Sequence, residues 1–217
     1  MNIGIIGAGN LGTGLTKHLR KHGHSVMLSF SKNQEKLDAI AASLGAASGS
    51  PRQALEFSEV VVLASPWLAT AGVLDQLKDV ASPKILWDCT NPLKPDLSGL
   101  SIGTTTSAAE EVARLAPWAN VVKAIPPFAE VLHSSSTLLN GSPTGVFVCG
   151  DDPAARSAIC GLVNDIGAAP FDCGPLSLAR YAEPAGMLLV QLAYLQGFGA
   201  RIGMTLLHEG VGKAKEK

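Results

Sequence analysis

The sequence predicts an α/β protein. A doubly wound, mostly parallel sheet is expected over residues 1–125, and a small C-terminal α/β domain ending in a long helical segment over residues 126–217. Three observations predict this. Short apolar runs alternate with helical stretches from residue 2 onward, the pattern of βαβ units. Three glycines punctuate the first strand–helix turn. The alternation then becomes irregular at Pro126-Pro127, where the soft boundary near residue 125 is placed.

Taken in order, NIGII at residues 2–6 is a buried parallel strand. A helix follows to about His22, with Leu11, Leu15 and Leu19 on one face, and Gly23 stops it. Residues 25–30 are the second strand, 33–44 the second helix and 45–47 a weak third strand. EVVVLA at 59–64 is a strong buried strand closed by Ser65-Pro66-Trp67. Residues 70–80 read as helix and 84–88 as strand. Ser107 and Glu110 form a capping box at the next helix start. Residues 121–125 are a strand, and a loop rich in Ser, Gly and Pro covers 134–143. Strand 144–149, helix 152–166 and strand 168–172 follow, and 176–207 is mainly helical despite Pro184, Gly197, Gly199 and Gly203. The tail after Gly210 is expected to be mobile.

Composition narrows the function. The 217 residues carry 47% hydrophobic and only 16% charged side chains, which excludes disorder or a charged coiled coil as a description of the whole. Seventeen basic against eighteen acidic residues leave no basic footprint for nucleic acid. The apolar run at 185–199 is shorter than the ~20 residues that span a bilayer and contains Gln191 and Gln196, so it is expected to be buried in protein, naturally at a subunit interface. The N-terminus shows no export signal, and Cys89, Cys149, Cys160 and Cys173 lack the spacing of a zinc site. A cytoplasmic protein with buried thiols and no metal is the expectation.

Gly7-x-Gly9-x-x-Gly12 lies between a strand and a helix, the setting that makes this pattern informative. Gly7 permits the tight turn, Gly9 leaves room for a pyrophosphate, and Gly12 lets helix pack on strand, so a Rossmann-type dinucleotide site is expected. The second strand ends in Ser29-Phe30-Ser31-Lys32, with Lys36 a turn later and no carboxylate before Glu35. A hydroxyl and a cation suit a ribose 2′-phosphate, which favours NADP(H); the competing reading is that Ser31 and Lys32 only cap and solubilise the next helix. The loops after the strands supply apolar walls and few ionisable groups, which suits hydride transfer between two flat rings.

At this point the chain resembles the NADPH-dependent reductases of the deazaflavin coenzyme F-420. The resemblance rests on IGIIGAGNLGTGL, GHSVMLSFSK, VVVLASPW, VCGDD at 148–152, DCGPL at 172–176 and the helical region after Arg180. The dinucleotide domain is also similar to the cytoplasmic domain of six-transmembrane ferric reductases. The resemblance implies a deazaflavin stacked over the nicotinamide between two domains. It implies that Asn10 and Leu11 contact the pyrophosphate, that Ser31, Lys32 and Lys36 hold the 2′-phosphate, and that Ser65, Pro66, Ala124, Ile125 and Pro126 line the nicotinamide. Gly7, Ala8, Gly9, Gly12, Ser29, Ala64 and Trp67 complete the expected cofactor set. Lys32 stands where the family often has Arg, and the loop 125–128 departs from the family's versions.

His133 is the candidate catalytic side chain, either orienting the hydride acceptor or shuttling a proton, or else a plain helix-end residue. Asp151-Asp152 reads as a turn and N-cap rather than a metal site, and Cys149 with Cys173 as two small core residues rather than a redox pair. The expected function is hydride transfer between NADP(H) and a second redox cofactor, deazaflavin coenzyme F-420 or else FMN or FAD. An imine, carbonyl or ferric reductase and a non-catalytic NADP sensor are the alternatives. A homodimer through Met187, Leu188, Leu189, Leu192, Leu195 and Phe198 is expected.

Overall fold

The computed structural model describes residues 1–30, 33–77, 84–207 and 209. Eight strands form one sheet: β1 (Asn2–Ile6), β2 (Ser25–Ser29), β3 (Ala47–Gly49), β4 (Val60–Leu63), β5 (Lys84–Asp88), β6 (Ala119–Ala124), β7 (Gly145–Gly150) and β8 (Ala169–Gly174). Their order is β3-β2-β1-β4-β5-β6-β7-β8. The first six strands in chain order pair in parallel, β7 runs antiparallel to β6, and β8 runs parallel to β7. The sheet is therefore continuous across residue 125, and the strands beyond it extend the same sheet.

The strands are apolar on both faces because helices cover both faces. Ile3, Ile5, Val60, Val62 and Trp87 face a core shared with α1 (Asn10–Lys21), α2 (Gln34–Ser43) and α7 (Pro153–Asp165). Ile6, Val61, Leu63 and Leu86 face the opposite core, shared with α3 (Pro51–Phe57), α4 (Trp67–Asp75) and α5 (Ala108–Leu115). Leu15 and Leu19 of α1 are fully buried, as their spacing predicts.

Several boundaries differ from the sequence reading. Phe30 leaves β2 because it adopts φ +63°, and Gly45, at φ +65°, belongs to the turn after α2 rather than to β3. Helix α3 was not expected, although Ser50, Pro51 and Gln53 spell its start: Ser50 accepts from Gln53 N–H, and the Gln53 side chain accepts from Ser50 N–H. Helix α4 starts at Trp67, after Pro66, and ends at Asp75, with a turn at 76–77, so it stops short of the expected end at residue 80, which itself lies outside the described residues. A short helix, α6 (Ala129–His133), follows the Pro126-Pro127 loop.

The long C-terminal helical segment is present but ends before residue 207. Helix α8 (Ala179–Val190) passes into one wide π-turn over Gln191–Leu195 and stops there. Phe198 N–H and Gly199 N–H close the end on Leu192 O and Ala193 O, and Gly197 and Gly199 both take φ +76°. The glycines permit that left-handed exit, which no continuing helix allows. The chain then returns to β7, where Gly145 N–H donates to Met204 O at 2.6 Å.

Candidate functional site

The sheet order reverses between β1 and β4, and a cleft of about 670 Å³ opens beyond the carboxyl ends of the strands there. One wall is the glycine turn. Gly7 has φ +128°, and a Cβ on it would stand 2.4 Å from Ala64 O. A Cβ on Gly12 would stand 1.8 Å from Gly7 O, so only glycine lets α1 sit this close to β1. A Cβ on Gly9 would meet nothing within 4 Å, and Gly9 lines the cleft. The first turn of α1 carries no acidic residue, so its free amides face the cleft unopposed. These features fit the pyrophosphate of a dinucleotide.

Gly7, Ala8, Gly9, Asn10, Leu11, Ala64, Ser65, Pro66, Trp67, Ile125 and Pro126 all line the cleft, where the sequence reading puts them. Gly12 acts behind it as packing. Ser29 is fully buried, and its hydroxyl donates to Ile5 O at 3.1 Å, so it faces the core rather than a ribose. Ala124 is fully buried beneath the cleft, and its carbonyl accepts from Trp87 Nε1 at 2.8 Å. Lys36 lies in the first turn of α2 and is not part of the lining. Ser31 and Lys32 lie outside the described residues.

His133 does not line the cleft. It ends α6, which turns it back onto α1, with Nε2 2.9 Å from Asn10 O and 3.3 Å from Thr13 Oγ1. Its position fixes α6 against the start of α1. Thr104, Thr105 and Thr106 also lie off the cleft. Thr90 lines it, but its hydroxyl is held by Asp88 Oδ1 at 2.7 Å.

The opposite wall comes from Pro127, Phe128, Thr144, Gly145, Phe147, helix α8 and residues 202–204. Phe128 and Tyr194 meet edge to face, with ring centroids 5.9 Å apart. Tyr194 is the phenol of the cleft; burial and the charge of Glu130 raise its pKa, so it keeps its proton across the physiological range.

Beneath the floor lies a charged cluster that the sequence reading missed. Lys123 on β6, Asp88 on β5 and Glu183 on α8 are all buried. Lys123 Nζ stands 2.6 Å from Asp88 Oδ2, 3.2 Å from Glu183 Oε1 and 2.8 Å from Thr90 O, so its three N–H groups have three acceptors. Asp88 Oδ1 also accepts from Thr90 N–H at 2.9 Å, and Glu183 accepts from Ala108 N–H and Ala109 N–H at the start of α5. Burial pulls the Lys123 pKa down, but the two carboxylates outweigh it and hold the ammonium above the ordinary lysine range. Burial, with the charge of Asp88 next, pushes the Cys89 thiol well up and leaves it inert. The signals on the strands were Asp88 closing the apolar run of KILWD and Lys123 near the end of ANVVKA.

Cys149 and Cys173 sit on the neighbouring strands β7 and β8 as free thiols. Their mutual hydrogen bond raises the Cys149 pKa and lowers that of Cys173 to about 7. Asp152 caps α7 by accepting from Ala155 N–H at 2.6 Å. Among the described residues no group of three or more His, Cys, Asp or Glu side chains is placed to hold a metal ion, and no helix is long and apolar enough to cross a membrane.

The fold is a Rossmann-type α/β sheet with a glycine turn between β1 and α1. Residues 2–92 match the family described as NADP oxidoreductase, coenzyme F420-dependent, so the resemblance read from the sequence holds there. The chain is 28% identical over 191 residues to the metalloreductase STEAP3 of Rattus norvegicus, covering 87% of this chain and 37% of that protein. It thus spans a little over a third of that relative's length. Among solved structures, a protein of Arthrobacter sp. FB24 assigned as an F420-dependent NADP-reductase superposes with a TM-score of 0.83 at 23% identity, covering 96% of this chain and all of that one. An imine reductase of Streptomyces aurantiacus superposes with a TM-score of 0.67 at 18% identity, covering 90% of this chain and 64% of the other. These structures share the fold.

Proposed function

We propose that the protein transfers a hydride between NADP(H) and a second flat redox ring, deazaflavin coenzyme F-420 or a flavin. The observation that carries this is the cleft itself. A glycine cradle for a pyrophosphate runs into an aromatic and aliphatic pocket containing Phe128, Phe147 and Tyr194. When bound, NADPH supplies the hydride. The chain's own work is to place one ring against the other and to keep water out. Ser65, Pro66, Ile125 and Pro126 form the nicotinamide end of the cleft, and Ser31, Lys32 and Lys36 supply charge and hydrogen bonds for the 2′-phosphate.

The test follows NADPH oxidation at 340 nm with coenzyme F-420, FMN, FAD and small imines and ketones. Turnover with a ring acceptor and none with ketones or imines supports the reading. NADPH bound but never oxidised supports a redox sensor. Tyr194 favours a second reading, reduction of an imine or carbonyl, because its phenol stands in the cleft as a proton donor.

We also propose a homodimer through the outer face of α8. Tyr181 and Leu188 on α8, with Leu195 and Phe198 in the turn and exit after it, are between 54% and 73% exposed, a run of large apolar side chains that a second copy would cover. Met187 is buried within its own chain and Leu189 lines the cleft, so the face is narrower than the helix's composition suggests. Light scattering at micromolar concentration reads the mass. A dimer for the native chain and a monomer for Leu188→Glu with Leu195→Glu are the expected results.

A further inference from the structure

Of the buried side-chain polar atoms without a hydrogen-bond partner among the described residues, which include Arg20 Nε and Trp118 Nε1 away from the cleft, three belong to side chains of the cleft: Ser65 Oγ, Asn91 Oδ1 and Thr144 Oγ1. Buried polar atoms are satisfied in the great majority of proteins, so three on one cleft mark it as a place where a ligand completes the set. Ser65 stands at the nicotinamide end. Asn91 and Thr144 stand elsewhere on the lining, on β5's exit and at the start of β7.

Thr144 is held in a single arrangement. It is 4% exposed, and its carbonyl accepts from Ala169 N–H at 2.8 Å. Its methyl is pressed on Gly203, where a Cβ would come within 2.3 Å of it. The returning chain at 202–204 therefore fixes the side chain and leaves the hydroxyl unspent. Asn91 is fixed in a similar way: its Nδ2 donates to Glu183 O at 3.4 Å, which leaves Oδ1 as the free end. Glu130, on the rim, is the one charged side chain among the described lining residues, and it is negative.

We propose that Thr144 and Asn91 are the specificity residues for the hydride acceptor, and that they select a neutral ring carrying a carbonyl or ring N–H over a substrate with a carboxylate at its reacting end. This rests on the hydride-transfer reading above. The hydroxyl of Thr144 donates to a ring carbonyl or accepts from a ring N–H, and Asn91 Oδ1 accepts from a ring N–H. A carboxylate entering the same pocket would lose its hydration with no cation to meet it and with Glu130 at the rim, a strongly unfavourable transfer. The class thus defined is a flat, uncharged heterocycle with a polar edge.

The experiment uses the full chain loaded with NADP+. Lumiflavin, a neutral ring without phosphate, is titrated by fluorescence against the native protein, Thr144→Val and Thr144→Ser. NADP+ affinity of each is measured by calorimetry, and melting curves confirm that each is folded. Thr144→Val is expected to weaken lumiflavin about 5- to 30-fold, the value of one hydrogen bond, with NADP+ affinity unchanged. Thr144→Ser restores it to within a few fold. 1-Pyrroline-5-carboxylate is expected neither to displace lumiflavin nor to be turned over with NADPH. Unchanged lumiflavin affinity in Thr144→Val, no lumiflavin binding to native protein that holds NADP+, or equal binding of the carboxylate overturns the proposal. Native protein that does not bind NADP+ at all instead overturns the reading on which the proposal rests.

Discussion

The two walls of the cleft are made by different means. The dinucleotide wall is a single short stretch of chain, residues 7–12, whose shape is set by backbone and by what glycines leave out. The facing wall is assembled from side chains of Phe128, Thr144, Phe147, α8 and the returning segment 202–204, distant in sequence from one another. The first wall is stiff because Gly7 and Gly12 have no room for a side chain, while Gly9 between them keeps its space open. The second depends on what holds its pieces together, above all the Lys123 cluster that ties α8 to β5 and β6. A backbone site can be shared by proteins that differ everywhere else, while an assembled site carries the selectivity of one protein.

The sharpest way to break the assembled wall is Lys123→Met. It leaves the carboxylates of Asp88 and Glu183 buried without their cation, and a loss of about 3–5 kcal/mol of stability is expected. Urea unfolding measures it. Lys123 also has a pH signature. Its folded pKa lies above the ordinary lysine value, so its stabilisation is complete below about pH 10.4 and disappears as the pH rises through the folded pKa. The native protein should lose stability above that pH, and Lys123→Met should not show this loss.

Next in size is a pair on the stiff wall. Gly12→Val drives a side chain into Gly7 O and is expected to cost at least about 1–3 kcal/mol of folding stability. Gly9→Val meets no protein atom within 4 Å, so the fold should survive by circular dichroism while NADPH binding is lost. Normal NADPH binding by a folded Gly9→Val would mean that the glycine turn cradles no pyrophosphate.

Cofactor choice should follow, with NADP(H) preferred over NAD(H) by at least about tenfold, and Lys32→Ala weakening NADP(H) far more than NAD(H). Equal affinities in calorimetric titration would remove the 2′-phosphate from the account. The smallest effect concerns the joint between the walls, where His18 Nε2 lies 2.8 Å from Leu132 O. Burial lowers the His18 pKa, so stability should fall modestly as the pH drops below about 6.5 toward the folded pKa. His18→Gln should flatten that slope in thermal melts.

The same contrast explains how much the sequence revealed. The strand–glycine–helix start, the buried runs of β1 and β4 and most of the dinucleotide wall were legible because they are local. Residues 7–11 and 64–67 need only their neighbours to take their places. Lys123, Asp88 and Glu183 were not legible as a group, because nothing in the sequence pairs positions so far apart. His133 follows the cleft loop closely in sequence, yet the five residues of α6 carry it back to α1. Ser29 ends a strand beside the expected ribose site, but the alternation of the strand turns it inward. The π-turn at 191–195 was hidden because the residues of a wide turn are ordinary helix formers, and the stop is made by the glycines beyond it.

The reversed direction of β7 has a further consequence. Because β7 runs antiparallel to β6, its first residues, not its last, lie at the cleft, and the connection entering it spans 134–144. That connection is a surface segment with much of its length exposed, folded on itself by the hydrogen bond from Leu139 N–H to Ser142 O. Length can be added or removed there without shifting any strand that carries the dinucleotide. For protein engineering the 134–143 segment, which stands off the cleft lining, is a place to insert new loops while the glycine turn stays unaltered.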